Sequence, residues 1–174
     1  MAKRLLGKLA PNAVGMLEIS RLEKAVLDGY RALADLTGTT SDALDECGID
    51  GAVPGSLLRP TDSCARLIGQ AVTVLNRKSS ERRRTSGLAD IEAHNLAEPG
   101  DVLVVQGVAG ISSMGGVSAS IGKRRGEAGA IVDGAVRDID HSRSIGPASP
   151  SWRITRSNIS SSSRCRGSRL PMCW

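Results

Sequence analysis

The sequence predicts an α/β domain built from parallel crossover units, and three observations carry that prediction. Val102-Leu103-Val104-Val105 and Gly129-Ala130-Ile131-Val132 are unbroken apolar runs, the pattern of strands buried on both faces. Between them, Gly116 to Arg125 has the character of a helix, so strand, helix and strand follow within about thirty residues, the length of a parallel crossover. The chain has no Phe, one Tyr and two Trp among 174 residues, so its core must be built from Leu, Val, Ile and Ala.

That length, with 40% hydrophobic residues, suits one domain with a substantial core. The net charge of +5 is not spread along it. Residues 147–174 hold five arginines (Arg153, Arg156, Arg164, Arg166, Arg169) and no acid; removing them from 23 basic residues leaves 18 against 18 acidic ones. The body is formally neutral, which argues against a nucleic-acid interface on it. The tail as an RNA-binding arm ranks last among the functional readings, because it lacks a pattern of stacking aromatics. Cys47, Cys64, Cys165 and Cys173 form no CxxC pair, so neither a zinc site nor a disulfide framework is signalled. With no signal-peptide-like start and no membrane-length apolar run, a cytoplasmic protein is expected.

Taken in order, Ile19, Leu22, Val26, Tyr30, Leu33 and Leu36 recur at helical steps and predict one amphipathic helix packed on the body, ended by Gly38. Thr39 or Thr40 then caps a second short helix through Asp42, Ala43 and Leu44. Residues 48–70 are rich in Gly and Pro and imply a winding connection. Gln70 to Leu75 alternates as a strand, and Arg77 to Arg84 is a basic, solvated loop. Leu88 to Leu96 is a short helix carrying His94, a lone histidine without a nucleophile beside it in sequence. Glu98 to Asp101 is a turn before the first buried run, and Gly126 suits a left-handed helix stop before the second.

The chemistry gathers at Gly115-Gly116-Val117-Ser118 and at Arg137-Asp138. Two glycines opening a helix let a ligand approach backbone amides that have no partner inside the helix, and a small carboxylate satisfies such amides. Arg137 adds a planar fork suited to a carboxylate or 2-oxo acid. Asp138 is free either to hold a divalent cation or to cap the helix that follows, and Asp133-Gly134 is equally a common turn.

These segments resemble the RraA-like family, which includes regulators of ribonuclease E activity and 4-hydroxy-4-methyl-2-oxoglutarate aldolases. The resemblance rests on Thr40 to Asp45, Gly69 to Val74, Pro99 to Val105, Gly115-Gly116 and Val132 to Asp138, five blocks in the family's order across roughly residues 20–146. It implies a swivelling β/β/α-type domain assembled as a homotrimer or hexamer with sites between subunits. It also implies a pyruvyl group received by Gly115 to Ser118, substrate binding by Arg137, and Mg²⁺ or Mn²⁺ on Asp138. The expected activity is cleavage of a small 2-oxo acid by retro-aldol or decarboxylation chemistry; the alternative is a non-catalytic partner of ribonuclease E.

Two places depart from the family pattern. The well-studied aldolases carry an acidic residue where this chain has Gly116. From residue 147 the chain turns Ser- and Arg-rich, and we expect residues 1–146 to form the domain and 147–174 to be a disordered or out-of-frame tail. Translating the gene in its other frames checks this: a family-like strand after Gly146 is the expected outcome.

Overall fold

A computed structural model of the chain describes residues 5–6, 9–15, 20–60, 66–78, 89–144 and 153–157. In chain order these form α1 (Lys24–Ala32), α2 (Leu36–Glu46), β1 (Leu58–Pro60), β2 (Ala71–Leu75), α3 (Ala89–Leu96) and β3 (Val102–Gln106). There follow β4 (Ser112–Met114), α4 (Gly116–Arg124), β5 (Gly129–Asp133), β6 (Ala135–Val136), α5 (Ile139–Ser144) and β7 (Arg153–Ser157).

One five-stranded sheet has the order β1-β7-β5-β3-β2. β2, β3, β5 and β7 run parallel, with Ala71 opposite Val102, Val102 opposite Gly129, and Gly129 opposite Arg153. α3 lies between β2 and β3 in the chain and α4 between β3 and β5, so the expected crossover units are present. Alternation of side chains then divides the core. Val72, Val74, Leu103, Val105, Ala130 and Val132 pack with Ala93, Ala97 and Ala119 of the α3 and α4 layer, while Val102 and Ile131 meet Leu67 on the opposite face. Both faces of the central strands are therefore covered, as their apolar runs require.

The N-terminal helices differ from expectation. α1 starts at Lys24, buries no residue, and ends at Leu33, whose backbone is extended; Ile19 lies outside the described residues. α2 begins at Leu36, so the single helical stripe is divided between two helices. The break has a local cause. Asp35 caps α2 by accepting from the Gly38 amide at 3.1 Å, which places Gly38 inside the second helix and leaves Thr39 and Thr40 no capping role. Arg66 donates to the carbonyls of Leu33 and Ala34, which the break leaves without helical partners. On exposed α1, Lys24 and Arg31 hydrogen-bond to Asp28 and hold its carboxyl below the usual carboxylate range.

Before β3, buried Asp101 accepts Arg21 Nη1 on both oxygens at 2.7 Å and the Glu98 amide at 2.8 Å, tying the N-terminal segment to the sheet. At the other end, β7 lies in the stretch the sequence sets apart as a tail. Its backbone pairs with β5 and, antiparallel, with β1, so the sheet continues past residue 146; the rest of the tail lies outside the described residues.

Leu103, fully buried at the centre of the sheet, is the most stringent test of this packing. Leu103→Ala is expected to cost about 2–5 kcal/mol in urea unfolding, a loss set by transfer and cavity terms together.

Candidate functional site

The two halves of the candidate site are brought together by a pair of strands too short for the sequence to announce. β4 runs directly into Gly115, and β6 runs directly into Arg137. The two strands pair in parallel, Ser112 opposite Ala135 and Met114 opposite Val136, and the Arg137 amide donates to the Met114 carbonyl at 3.0 Å. Ser112-Ser113-Met114 carries no apolar periodicity that would have revealed it.

Gly115 is the N-cap of α4 and offers no side-chain cap. In its place Asp138 reaches across, and its Oδ2 accepts the Gly116 amide at 3.0 Å. Asp138 therefore caps a helix, as its local chemistry allowed, but it is the preceding helix rather than the following one. Its backbone sits at φ 57, a left-handed conformation that aspartate tolerates better than most residues and that structures retain where function or packing demands it. Among the described residues, the amides of Val117 and Ser118 in the same first turn have no partner. Open amides and the positive end of a helix dipole are the features that suit a helix N-terminus to an anion.

Arg137 flanks that end. Its Nε lies 3.7 Å from Asp138 Oδ2, and both side chains are open to solvent, 74% and 51% exposed. A Cβ on Gly115 would stand 2.9 Å from Arg137 Nε and 3.0 Å from Asp138 Oδ2, so glycine is needed for both groups to lie so close to the backbone. Asp138 Oδ1 has no partner among the described residues. One such carboxylate fits a hard cation that fills its shell with water and substrate oxygens, as Mg²⁺ and Mn²⁺ do. Among the described residues, no three or more His, Cys, Asp or Glu side chains gather into a metal-binding group.

Val117 and Ser118 divide between outside and inside. Val117 is 73% exposed at the mouth of the site, whereas Ser118 is buried and turned into the core. There its Oγ meets His94 Nε2 at 2.8 Å, and His94 Nδ1 meets Glu127 Oε1 at 2.8 Å. His94 thus has a hydroxyl and a carboxylate beside it that sequence separation concealed. Glu127 arrives through the end of α4: Gly126 at φ 75 turns the chain, its amide donates to Lys123 O and the Glu127 amide to Gly122 O, a Schellman stop. Hydroxyl, imidazole and carboxylate in this order activate nucleophiles in hydrolases. Here they are 3%, 0% and 1% exposed, so no substrate reaches them and the chain of bonds is a structural tie.

The RraA-like profile, Aldolase/RraA, matches residues 37–161. The chain belongs to the RraA-like family. Its match runs past Gly146, through the segment that supplies β7. A solved relative is Streptomyces coelicolor RraAS2, described as an unusual member of the RNase ES inhibitor RraA protein family. It is 26% identical, with a TM-score of 0.66 over 84% of this chain and 70% of that one. An uncharacterized protein from Pseudomonas syringae pv. tomato str. DC3000 is 25% identical, with a TM-score of 0.61 over 79% of this chain and 58% of its own. The chain thus spans less than two thirds of that relative's length. Among curated proteins, none matches significantly. The mixed helix and parallel-sheet architecture expected from the sequence is the one these relatives share. Among the described residues, no helix is long and apolar enough to cross a membrane.

Because His94 has both ring nitrogens engaged in the core, His94→Ala leaves a buried carboxylate and a buried hydroxyl without partners. It is expected to destabilise the fold by about 3–5 kcal/mol in urea unfolding. A loss under about 1 kcal/mol would show that the tie contributes little.

Proposed function

We propose that the chain is a divalent-metal-dependent lyase acting on a pyruvate-derived 2-oxo acid, of the 4-hydroxy-4-methyl-2-oxoglutarate aldolase or oxaloacetate decarboxylase type. The observation that carries this reading is the meeting of three different groups at one place: unpartnered amides of α4, the Arg137 guanidinium and the Asp138 carboxylate. The amides of Val117 and Ser118 receive the substrate carboxylate, and Gly115 lets Arg137 and Asp138 lie close beside them. Arg137 orients the 2-oxo acid through its planar fork. Asp138 is the residue that would hold the cation, Mg²⁺ or Mn²⁺, which when bound would supply positive charge to stabilise negative charge developing on the substrate oxygen.

The Asp138 contact to Gly116 gives this reading a mechanical side. A carboxylate that caps α4 keeps the anion-binding turn and the metal ligand in fixed relation, which lowers the cost of ordering the site when substrate arrives. Val117, 73% accessible in the first turn of α4, offers an apolar contact beside the site to a neighbouring subunit of a homotrimer or hexamer.

A second reading is a non-catalytic regulator of ribonuclease E activity, favoured by the likeness to a relative described as an RNase ES inhibitor family member. One pair of assays separates the two. Pyruvate release from 4-hydroxy-4-methyl-2-oxoglutarate or oxaloacetate with Mg²⁺ or Mn²⁺ is expected for the lyase, and slowed cleavage of RNA by ribonuclease E for the regulator.

Asp138→Asn separates the two roles of this residue. The amide oxygen can still accept from Gly116, so unfolding free energy is expected to change by less than about 1 kcal/mol. Turnover with metal is expected to fall on the order of 10²–10³-fold. Unchanged turnover in Asp138→Asn would sink the mechanism.

A further inference from the structure

His141, on α5, is absent from the residues that the sequence singles out, yet its ring packs on the first turn of α4. A Cβ on Gly116 would stand 2.7 Å from His141 Cδ2 and 3.3 Å from its Cγ, with Asp138 Cβ at 3.5 Å. The imidazole therefore fills the space that a side chain at 116 would take, immediately beside the anion-binding amides.

Its orientation is also set. His141 Nε2 lies 3.2 Å from Ser120 Oγ, and that hydroxyl donates its single proton to the Gly116 carbonyl at 2.8 Å. With the Ser120 proton committed, Oγ has only lone pairs to offer, so in the neutral ring Nε2 carries the hydrogen and Nδ1 is the acceptor. Nδ1 has no partner among the described residues, and the side chain is exposed. A ring held on one edge with a basic nitrogen left open is equipped to exchange a proton with a ligand at the end of α4.

We propose that His141 carries the proton at this site through Nδ1, an inference that rests on the lyase reading. In retro-aldol cleavage of 4-hydroxy-4-methyl-2-oxoglutarate, Nδ1 takes the proton of the C4 hydroxyl. The O–H electron pair becomes the new carbonyl bond, the C3–C4 bond breaks, and its electron pair enters the enolate of pyruvate. Nδ1 then returns the proton to C3, which becomes a methyl group, so the ring ends as it began and no co-reactant is consumed. With oxaloacetate, carbon dioxide leaves and the protonated ring supplies the C3 proton, to be recharged from solvent.

The test compares the unsubstituted protein with His141→Ala and His141→Gln in two assays: pyruvate formation, and deuterium entry into the methyl group of pyruvate in D₂O followed by NMR. Removing the imidazole is expected to lower both rates by about 10²–10⁴-fold with KM little changed. Added free imidazole is expected to restore at least about tenfold of the loss in His141→Ala, whose deleted ring leaves a hole of its own size. His141→Gln keeps packing on Gly116 but cannot take up a proton, and should be as slow as the alanine variant. Turnover within about twofold of the unsubstituted rate in His141→Ala overturns the role of His141 and leaves the lyase reading standing. Slow turnover that imidazole does not rescue and glutamine does restore overturns it too, as the mark of a packing role. An unsubstituted protein that neither cleaves nor exchanges overturns both readings.

Discussion

The hydrogen-bond chain from Glu127 through His94 to Ser118 is the constraint on which the rest of the site depends. It joins α3, the first turn of α4 and Glu127 just past the C-terminal end of α4, all buried between helices and sheet. Breaking a polar chain at such depth is costly, so its members are held in one arrangement, although Glu127 Oε2 is buried with no partner among the described residues. Fixing Ser118 inward fixes the rotation of α4. Val117, the next position round the helix, is then left facing solvent.

From that fixed turn, the remaining geometry follows from a few short contacts. The pairing of β4 with β6 sets Arg137-Asp138 beside Gly115-Gly116, and the left-handed backbone of Asp138 returns its carboxylate to the Gly116 amide. These contacts lie at the surface and involve exposed side chains, whereas the tie beneath them is buried. Rigid support under an accessible rim is a common division of labour in binding sites, because the rim must exchange water for ligand while its support must not.

Gly116 links the local and the tertiary readings of the site. By the family resemblance, it stands where an acidic residue is expected. In the fold that space is taken by the ring of His141, which Ser120 holds against the backbone. Gly115 plays the complementary part, leaving room for Arg137 and Asp138. The glycine pair is thus less an empty loop than a floor on which three side chains from the far end of the crossover rest.

The sequence by itself determined the parallel sheet, because unbroken runs such as Val102 to Val105 and Gly129 to Val132 can be satisfied only by strands covered on both faces. It determined the glycine-opened helix and its stop at Gly126, since helix ends are written in local chemistry, and it identified the family from the order of its motifs. It did not divide α1 from α2, because helical periodicity continues through Leu33 and Leu36 while the cap at Asp35 and the reach of Arg66 decide the break. Only the tertiary structure gave His94 its partners, showed β4 and β6 to be a pair, brought β7 into the sheet, and laid His141 over Gly116. Each of those contacts joins residues far apart in the chain through single side chains or two- to five-residue strands, and such contacts leave no period for a sequence to display.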